Sequence, residues 1–335
     1  MLRCSVPEAG KRKARGMDKF VSAGYIETIA EMKNISAAAE KLDMSQPALS
    51  ARLKKAEEQL GTAIFDRSRQ PLELTEAGKV YLEYAEKMDA LNREFNRHIS
   101  DLEDMRRGSL TIGGASSFNV SYLPEAVSVF LKKYPGIDIE IIDDNIPEIS
   151  VKAFNGMIDL FIAHPMEFDE RFCYEKLFSE RIYVCVPRDW EINDALKEKE
   201  IQPETIMRGR EAGAAQETSE LIDLTVLKYM PFVMLRDDQH IGLLMNELFE
   251  RCGFEPIRKV CVEQTMTSYA LTLAGVGISL MTESCIRNSR FSQFPRFYLT
   301  EPELCARDIY VVYPANRYMS RAAKEFIEVL KKTLI

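Results

Sequence analysis

Between residues 45 and 55 the chain carries a dense group of hydrogen-bonding and basic side chains. Gln46 and Ser50 have the groups that hydrogen-bond base edges, and Pro47 offers an apolar contact to a thymine methyl group. Arg52 and Lys54 can meet guanine or phosphate oxygens. Because no acidic residue interrupts this segment, it is locally positive, and its chemistry favours contact with double-stranded DNA.

These side chains fall on the last of three predicted helices. The spacing of apolar residues over 26–32 indicates a first amphipathic helix. Ser36 is predicted to cap a second helix over residues 37–42. Ser45 is predicted to cap the third, which runs to about Leu60. Two short helices joined by a tight turn predict a helix-turn-helix, whose second helix enters the major groove.

A turn-rich segment follows the third helix. Residues 64–74 are predicted to form two short strands around a basic tip, where Arg67 and Arg69 can reach the adjacent minor groove or its phosphates. The pattern over residues 17–75 therefore predicts a winged helix-turn-helix DNA-binding domain. A small helical domain with an ordinary solvated face is the alternative on these residues alone. Residues 1–16 read as a disordered basic tail.

The order of short motifs in this region resembles the N-terminal signature of LysR-type transcriptional regulators. The motifs are SAAAEKL from Ser36, SQPALS from Ser45, LG at 60–61, FDR at 65–67 and LTEAG at 74–78. The resemblance implies a DNA-binding transcriptional regulator. Most members carry a basic residue directly after the SQPxxS block, where this chain has Ala51, so operator preference stays open.

The DNA-binding candidates combine residues chosen by their chemistry with positions that the resemblance implies. By position, the family's base and phosphate contacts fall on Ser36, Gln46, Pro47, Ser50, Lys54, Arg67 and Thr75. The complete predicted set is Ser36, Ser45, Gln46, Pro47, Ser50, Arg52, Lys54, Arg67, Arg69 and Thr75. Within this set, Gln46 is predicted to read bases and Arg67 to hold the DNA backbone.

A long stretch with apolar residues at alternating spacings of four and three follows the wing. Residues 76–107 contain no proline, and the seam positions are Ala77, Tyr81, Tyr84, Met88, Leu91, Phe95, His98, Leu102 and Met105. This heptad pattern predicts one linker helix that pairs two chains, with His98 as a polar residue that sets the register. The resemblance implies the same arrangement: a homodimer or homotetramer bound to two-fold-related half-sites of a DNA operator.

After residue 108, strand-like and helix-like patterns alternate. Such alternation predicts α/β domains with open, mainly parallel sheets, which bind ligands at the carboxyl ends of their strands. The resemblance implies a two-lobed α/β effector-binding domain over residues 108–335, similar in fold to a periplasmic solute-binding protein. Lobe one is assigned to residues 108–180 and 314–335, and lobe two to residues 181–313.

Turns at the predicted strand ends carry polar side chains that could bind a small-molecule effector. Hydroxyl groups and the free N–H groups of a helix start favour a carboxylate or another small anion. The resemblance places effector contacts on the same turns. The predicted ligand-binding residues are Ser116, Ser117, His164, Met166, Gln239, His240, Thr265 and Met266. For each Ser or Thr alone, plain helix capping is the alternative.

Composition and missing motifs argue against several other classes of protein. The 335 residues carry 44 Lys and Arg against 52 Asp and Glu, a formal net charge of −8, and the acidic excess falls mainly after residue 108. No HExxH, GxSxG or phosphate-loop motif occurs, and the three histidines do not stand at metal-ligand spacing. No apolar run reaches membrane-spanning length. We therefore expect a cytoplasmic protein that is not an enzyme, uses no cofactor or metal, and has no membrane partner.

Seven cysteines are scattered along the chain without a CxxC pair, a pattern typical of reduced thiols. Two alternative functions stay open. The resemblance also implies a second mechanism within the family, redox sensing by a cysteine pair, and Cys252 and Cys261 have a suitable separation; the turn where the resemblance expects the reactive thiol carries Ile241 in this chain. The other alternative is a cytosolic solute-binding protein without a role on DNA. Salt-dependent retention on DNA separates that class from a regulator.

Overall fold

The computed structural model describes residues 23–102, 107–165, 167–208, 220–237, 240–289, 291 and 293–334. The chain divides into two compact units, Met1–Phe95 and Asn96–Ile335. The predicted basic tail, residues 1–16, lies outside the described residues. Within the described residues, no helix combines the length and the apolar character needed to cross a membrane.

The first unit is a winged helix-turn-helix. Its elements are α1 (Ala23–Met32), α2 (Ile35–Lys41), α3 (Gln46–Leu60), β1 (Phe65–Asp66), β2 (Glu73–Leu74) and the first part of α4 (Glu76–Leu102). β1 pairs antiparallel with β2 to form the wing. The helices close around a core that includes Ile26, Ile29, Leu49, Leu53 and Phe65, all buried. Helices this short are marginal alone, so this shared apolar core is what stabilises them.

Short polar side chains start the helices of this unit. The Ser45 side chain accepts a hydrogen bond from the Ala48 N–H at 3.4 Å, which confirms the predicted cap of α3. The predicted cap of α2 by Ser36 is wrong. The Asn34 side chain accepts from the N–H groups of Ser36 and Ala37 instead. Asn34 has the extended backbone of a cap, whereas Ser36 already lies inside the helix, so α2 begins two residues earlier than predicted.

Helix α4 is 27 residues long and leaves much of its apolar surface uncovered. Leu91, Phe95 and Leu102 are 62%, 61% and 82% exposed. Tyr81, which the heptad pattern assigned to the pairing seam, is instead buried in the core of the first unit, because the start of α4 covers that core. The uncovered side chains offer an apolar face to a second copy of the helix. The predicted end of the helix, residues 103–106, lies outside the described residues.

The second unit is built from alternating strands and helices. It begins with β3 (Gly108–Gly114), α5 (Ser116–Lys133), β4 (Ile137–Asp143), α6 (Ile146–Phe154), β5 (Leu160–Ala163) and the long β6 (Phe172–Val186). It continues with α7 (Ile192–Ala195), α8 (Pro203–Met207), β7 (Pro231–Leu235), α9 (His240–Cys252), β8 (Ile257–Val262), α10 (Thr265–Leu273), β9 (Ser279–Thr282), α11 (Glu283–Asn288) and β10 (Arg296–Tyr298). Short 3-10 helices cover Lys197–Lys199 and Leu224–Leu227. The last elements are β11 (Ala306–Pro314) and α12 (Arg321–Leu334).

Among the described residues, seven strands form one mixed sheet that runs through both lobes. The order is β10-β6-β11-β5-β3-β4, with β9 also paired to β6. β3 pairs parallel with β4 and β5, whereas β6 and β11 pair antiparallel with each other and with their remaining neighbours. The prediction of mainly parallel sheets is therefore wrong for this sheet, because the chain crosses between the lobes along β6 and returns along β11 in the opposite direction.

Strand β6 belongs to both lobes. Its residues 172–181 pair with β11, and residues 182–186 pair with β9 and β10. β11 also pairs with β5, so its pairing places it in lobe one, and the predicted lobe boundary at residue 313 is wrong. Each lobe has its own apolar core, one containing Phe326 of α12 and the other Phe249 of α9. The two cores are thus joined by strands that leave a cleft between them.

Candidate functional site

The exposed start of α3 carries the side chains predicted to read DNA. Ser45, Gln46 and Pro47 are exposed, and Ser50 lies one turn beyond Gln46 on the same face. The Gln46 side-chain nitrogen donates to the Ser50 hydroxyl at 3.0 Å. This contact orients the amide group of Gln46, and amide side chains in general can pair bidentately with adenine.

The basic and polar side chains beside this face differ in the contacts that they make. The Arg52 guanidinium stacks over the Tyr25 ring, 4.6 Å from its centroid, and so points toward α1. Lys54 is exposed, with its amine 3.9 Å from Glu58. Ser36, on α2, is exposed as well. Of the two basic side chains, Lys54 needs the smaller rearrangement to meet a phosphate, because its ion pair is long and fully solvated.

Both wing arginines form ion pairs within the first unit. Arg67 Nη2 lies 2.8 Å from Glu57, and Arg69 Nη1 lies 2.6 Å from Glu73. Arg69 and Glu73 are 64% and 49% exposed, so exchanging this carboxylate for a DNA phosphate costs little, whereas Glu57, the partner of Arg67, is only 14% exposed and holds its arginine more firmly. The Thr75 hydroxyl instead donates to a backbone carbonyl ahead of β1 at 2.7 Å. That contact fixes the wing against the start of α4.

A cleft of about 690 Å³ lies between the lobes of the second unit. Its lining brings together predicted ligand-binding residues from both lobes: Ser116, Ser117, His164, His240 and Thr265. Met266 packs against a second apolar cluster, which contains Tyr269, rather than in this lining, because adjacent helix positions point about 100° apart. Met166 and Gln239 lie outside the described residues.

Two helix starts in this lining have no capping side chain among the described residues. α5 begins at Ser116 after Ala115, and α10 begins at Thr265 after Gln264. The side chain of neither preceding residue accepts a hydrogen bond from its helix. The first N–H groups of a helix have no partner within the helix and lie at the positive end of its dipole. The cleft therefore presents anion-binding N–H groups from both lobes.

His164 and His240 meet across the cleft, with ring centroids 4.3 Å apart. His164 follows β5 in lobe one, and His240 is the first residue of α9 in lobe two. Burial, together with the nearby Arg307 and His164, lowers the pKa of His240 to about 3. Burial also lowers the pKa of His164. Both rings are therefore neutral near pH 7 in this structure.

A buried ion pair beside the cleft was not among the predicted residues. Arg307 lines the cleft, and its Nη2 lies 2.6 Å from Glu180, with both side chains almost fully buried. The guanidinium also lies over the Phe118 ring, 4.9 Å from its centroid. Glu180 accepts from the Tyr122 hydroxyl at 2.9 Å and from the Ser284 N–H at 3.1 Å. Because Tyr122 lies on α5 and Ser284 on α11, this carboxylate joins elements of both lobes.

Acidic side chains also line the cleft, but most have a basic partner. The pairs are Asp144 with Lys152, Asp169 with Arg171 and Glu263 with Arg236, each with charged atoms 2.6 Å apart. The Asn119 amide donates to Asp143. In the part of the chain that the structure describes, no three His, Cys, Asp or Glu side chains are grouped to hold a metal ion. The acidic charge of the lining is therefore largely offset by these partners.

The described cysteines are all free thiols. Burial raises the pKa of Cys185, Cys285, Cys305 and Cys252, which keeps these thiols protonated near neutral pH. Cys261 is exposed on β8. A reactive thiol needs a lowered pKa, so the redox-sensing alternative gains no support from the surroundings of Cys252.

The fold and these sites define a transcriptional regulator with a DNA-binding domain and an effector-binding domain. Residues 23–79 match the family model "Bacterial regulatory helix-turn-helix protein, lysR family", and residues 103–335 match the "LysR substrate binding domain". The chain belongs to the LysR family, whose members bind operator DNA as oligomers. The helix-turn-helix match argues against a solute-binding protein without a role on DNA.

Similarity to known regulators extends over nearly the whole chain. The chain is 24% identical over 312 residues to "Uncharacterized HTH-type transcriptional regulator YcgK" of Bacillus subtilis, covering 92% of this chain and 93% of that protein. It is 25% identical over 311 residues to "Probable RuBisCO transcriptional regulator" of Trieres chinensis, covering 91% and 94%. Full-length CbnR, solved in complex with its target DNA, shares the fold with a TM-score of 0.63 at 20% identity, covering 94% and 99%.

Proposed function

We propose that the protein is a transcriptional regulator and not an enzyme. It binds an operator through α3 and the wing, and a small anion in the cleft modulates that binding. The observation that carries the proposal is the cleft lining, which joins uncapped helix starts, Arg307 and two histidines from both lobes. A ligand shifts an equilibrium between lobe arrangements only by its difference in affinity for them, and a ligand held by both lobes has such a difference. The proposed location is the cytoplasm.

The uncovered face of α4 supports a homodimer or homotetramer. Leu91, Phe95 and Leu102 form an exposed apolar series that a second α4 could bury. A two-fold dimer carries two copies of α3, so its operator has two-fold-related half-sites. Their centres should lie one helical turn of DNA apart or a multiple of it.

Replacing Gln46 by Ala should reduce the discrimination between operator and random DNA by roughly tenfold, since a bidentate base contact is worth about 1–3 kcal/mol. Replacing Arg67 by Ala should weaken binding to both DNAs alike and lower the slope of log K against log salt by about one. Fluorescence anisotropy measures both quantities, with an operator that the wild-type protein selects from random duplexes.

Arg251→Ala is the matched control for these variants. Arg251 is an exposed arginine paired with a glutamate, as the wing arginines are, but it lies on α9. This variant should change neither discrimination nor salt dependence. If Q46A and R67A lost discrimination equally, the proposed division of roles would be wrong. Salt-independent binding by the wild-type protein would contradict the phosphate contacts.

A small carboxylate that binds the cleft should raise the unfolding temperature of the full chain. Binding to the folded state alone adds about 2.7 kcal/mol of stability at one hundred times Kd. Ser116→Glu places a carboxylate at the start of α5 and should abolish the shift. Thermal unfolding with a panel of carboxylic acids checks this, each acid beside its neutral amide. Amides that shift the midpoint as much as their acids would count against an anionic effector.

A further inference from the structure

The imidazoles of His164 and His240 come from opposite lobes and lie steeply inclined to each other, with 68° between their planes. The His164 Nδ1 lies 2.9 Å from the Asp308 carbonyl oxygen. Because a carbonyl only accepts hydrogen bonds, this Nδ1 carries a proton in either charge state. The other ring nitrogen of His164, Nε2, is therefore the atom that gains or loses a proton.

The His240 ring has a buried nitrogen without a partner. Its Nδ1 makes no hydrogen bond among the described residues, and an unsatisfied buried polar atom costs free energy. Protonating the ring is unfavourable as well, because His240 begins α9, at the positive end of the helix dipole, and lies near Arg307. An anion bound in the cleft beside the ring offsets this positive field and so makes the ring easier to protonate.

Most charged groups around the two rings are already paired with a group of opposite charge. β11 contributes Arg307 and Asp308 and β6 contributes Glu180; Arg307 is bonded to Glu180, and Asp308 lies 2.7 Å from the Lys176 amine. The other charged groups of the lining are Asp143, Asp144, Glu167, Asp169, Arg236 and Glu263. None of these carboxylates bonds to the His240 Nδ1. An anionic ligand in the cleft would supply such a charge.

We infer that His164 and His240 form a proton-coupled anion receptor: the cleft binds a small oxyanion together with one proton, which the two imidazoles share. The inference rests on the proposed anionic effector and adds that its affinity depends on pH. The proton comes from the solvent, and the ligand class is a small carboxylate or another oxyanion. Because the rings belong to different lobes, the bound anion and proton together hold the lobes in one arrangement.

Titration calorimetry of the full chain with sulfate tests the inference. Sulfate is a small oxyanion that does not itself take up a proton near neutral pH, and buffers of different ionisation enthalpy count the protons that its binding takes up. We expect uptake approaching one proton per sulfate at about pH 6. Sulfate affinity should then fall by up to tenfold for each unit of rising pH, as linkage requires.

Variants of the two histidines separate this effect from other titrating groups. His240→Gln and His164→Gln each keep a hydrogen-bonding amide but cannot take up a proton, so proton uptake should vanish and the pH dependence should flatten. His98→Gln is the matched control. His98 is the remaining histidine of the chain and stacks on Tyr318, with ring centroids 3.6 Å apart, outside the cleft lining. It should leave uptake unchanged.

The outcomes separate this inference from the proposed function. Sulfate binding without proton uptake, or uptake that persists in both H240Q and H164Q, overturns the proton-coupled receptor and leaves the regulator with an anionic effector standing. Absence of sulfate binding at about pH 6 also overturns the receptor. The panel of acids and amides then decides separately whether the effector is an anion.

Discussion

Replacing Glu180 by Gln is expected to lower the free energy of unfolding by about 3–5 kcal/mol, because it leaves the Arg307 guanidinium buried without its counter-charge. The Tyr122 hydroxyl and the Ser284 N–H donate to different oxygens of the carboxylate, so the amide keeps an acceptor for only one of them, and the loss combines the missing charge with one missing hydrogen bond. Urea denaturation followed by the fluorescence of Trp190 measures it. Trp190 is the only tryptophan of the chain and packs against the core of lobe two.

Glu175→Gln is the matched control for this substitution. Glu175 lies on the same strand and pairs with Lys331 at 2.7 Å, but both side chains are about one-third exposed, so the cost should stay within about 1 kcal/mol. A double variant with Glu180→Leu and Arg307→Met removes both buried charges and should recover much of the loss. If E180Q were no less stable than E175Q, the buried pair would not join the lobes in the way its contacts indicate.

Replacing Asp159 by Asn is expected to cost a similar amount, about 3–5 kcal/mol, in the second unit. Asp159 Oδ1 lies 2.7 Å from Arg97 Nε, and the side chains are 5% and 6% exposed. Its second oxygen accepts from the Thr111 N–H at 2.8 Å. Since Arg97 lies near the end of α4, the pair holds residues 96–102 against lobe one. Backbone hydrogen exchange of residues 96–102 should become faster in this variant. Urea denaturation measures the loss in the free energy of unfolding.

Asp169→Asn serves as the comparison for this second substitution. Asp169 pairs with Arg171 at 2.6 Å, but the arginine is 59% exposed and the pair lies in solvent. We expect no change in the exchange of residues 96–102. Unchanged protection of that segment in D159N would show that the buried pair does not anchor the helix end.

The first unit could be predicted well from the sequence because its signals are local. A helix cap, a helix face and a turn each depend on residues within one or two helical turns. Ser45, which caps α3, and the buried face of α3 opposite Gln46 are examples. The misassigned cap at Ser36 has the same origin: Asn34 and Ser36 are both good capping residues, and only the backbone conformation decides between them. Tyr81 fits both the pairing seam of α4 and the core of the first unit, and the heptad spacing alone does not distinguish these two positions.

The second unit was harder to predict because its organisation depends on pairing between distant segments. The first half of β6 contains Glu175, Lys176 and Glu180, which interrupt the apolar alternation that marks a strand. Its partner is β11, and the buried contact between Glu180 and Arg307 joins residues 127 positions apart. Nothing local indicates such a contact. The residues at the helix starts of the cleft could be predicted, because a Ser or Thr directly after a predicted strand marks the start of the next helix at the edge of the sheet.

The position of β11 between β5 and β6 has a consequence for how the protein folds as it is made. β6 ends at Val186 and β11 begins at Ala306, so the segment between them, which forms lobe two, is synthesised before the strand that joins β5 to β6 in lobe one. Until then, β5 and β6 emerge from the ribosome with unpaired edges, which in a nascent chain attract other strands. We therefore expect lobe one to complete its sheet only after lobe two has been synthesised, and the growing chain to benefit from chaperone protection over that interval.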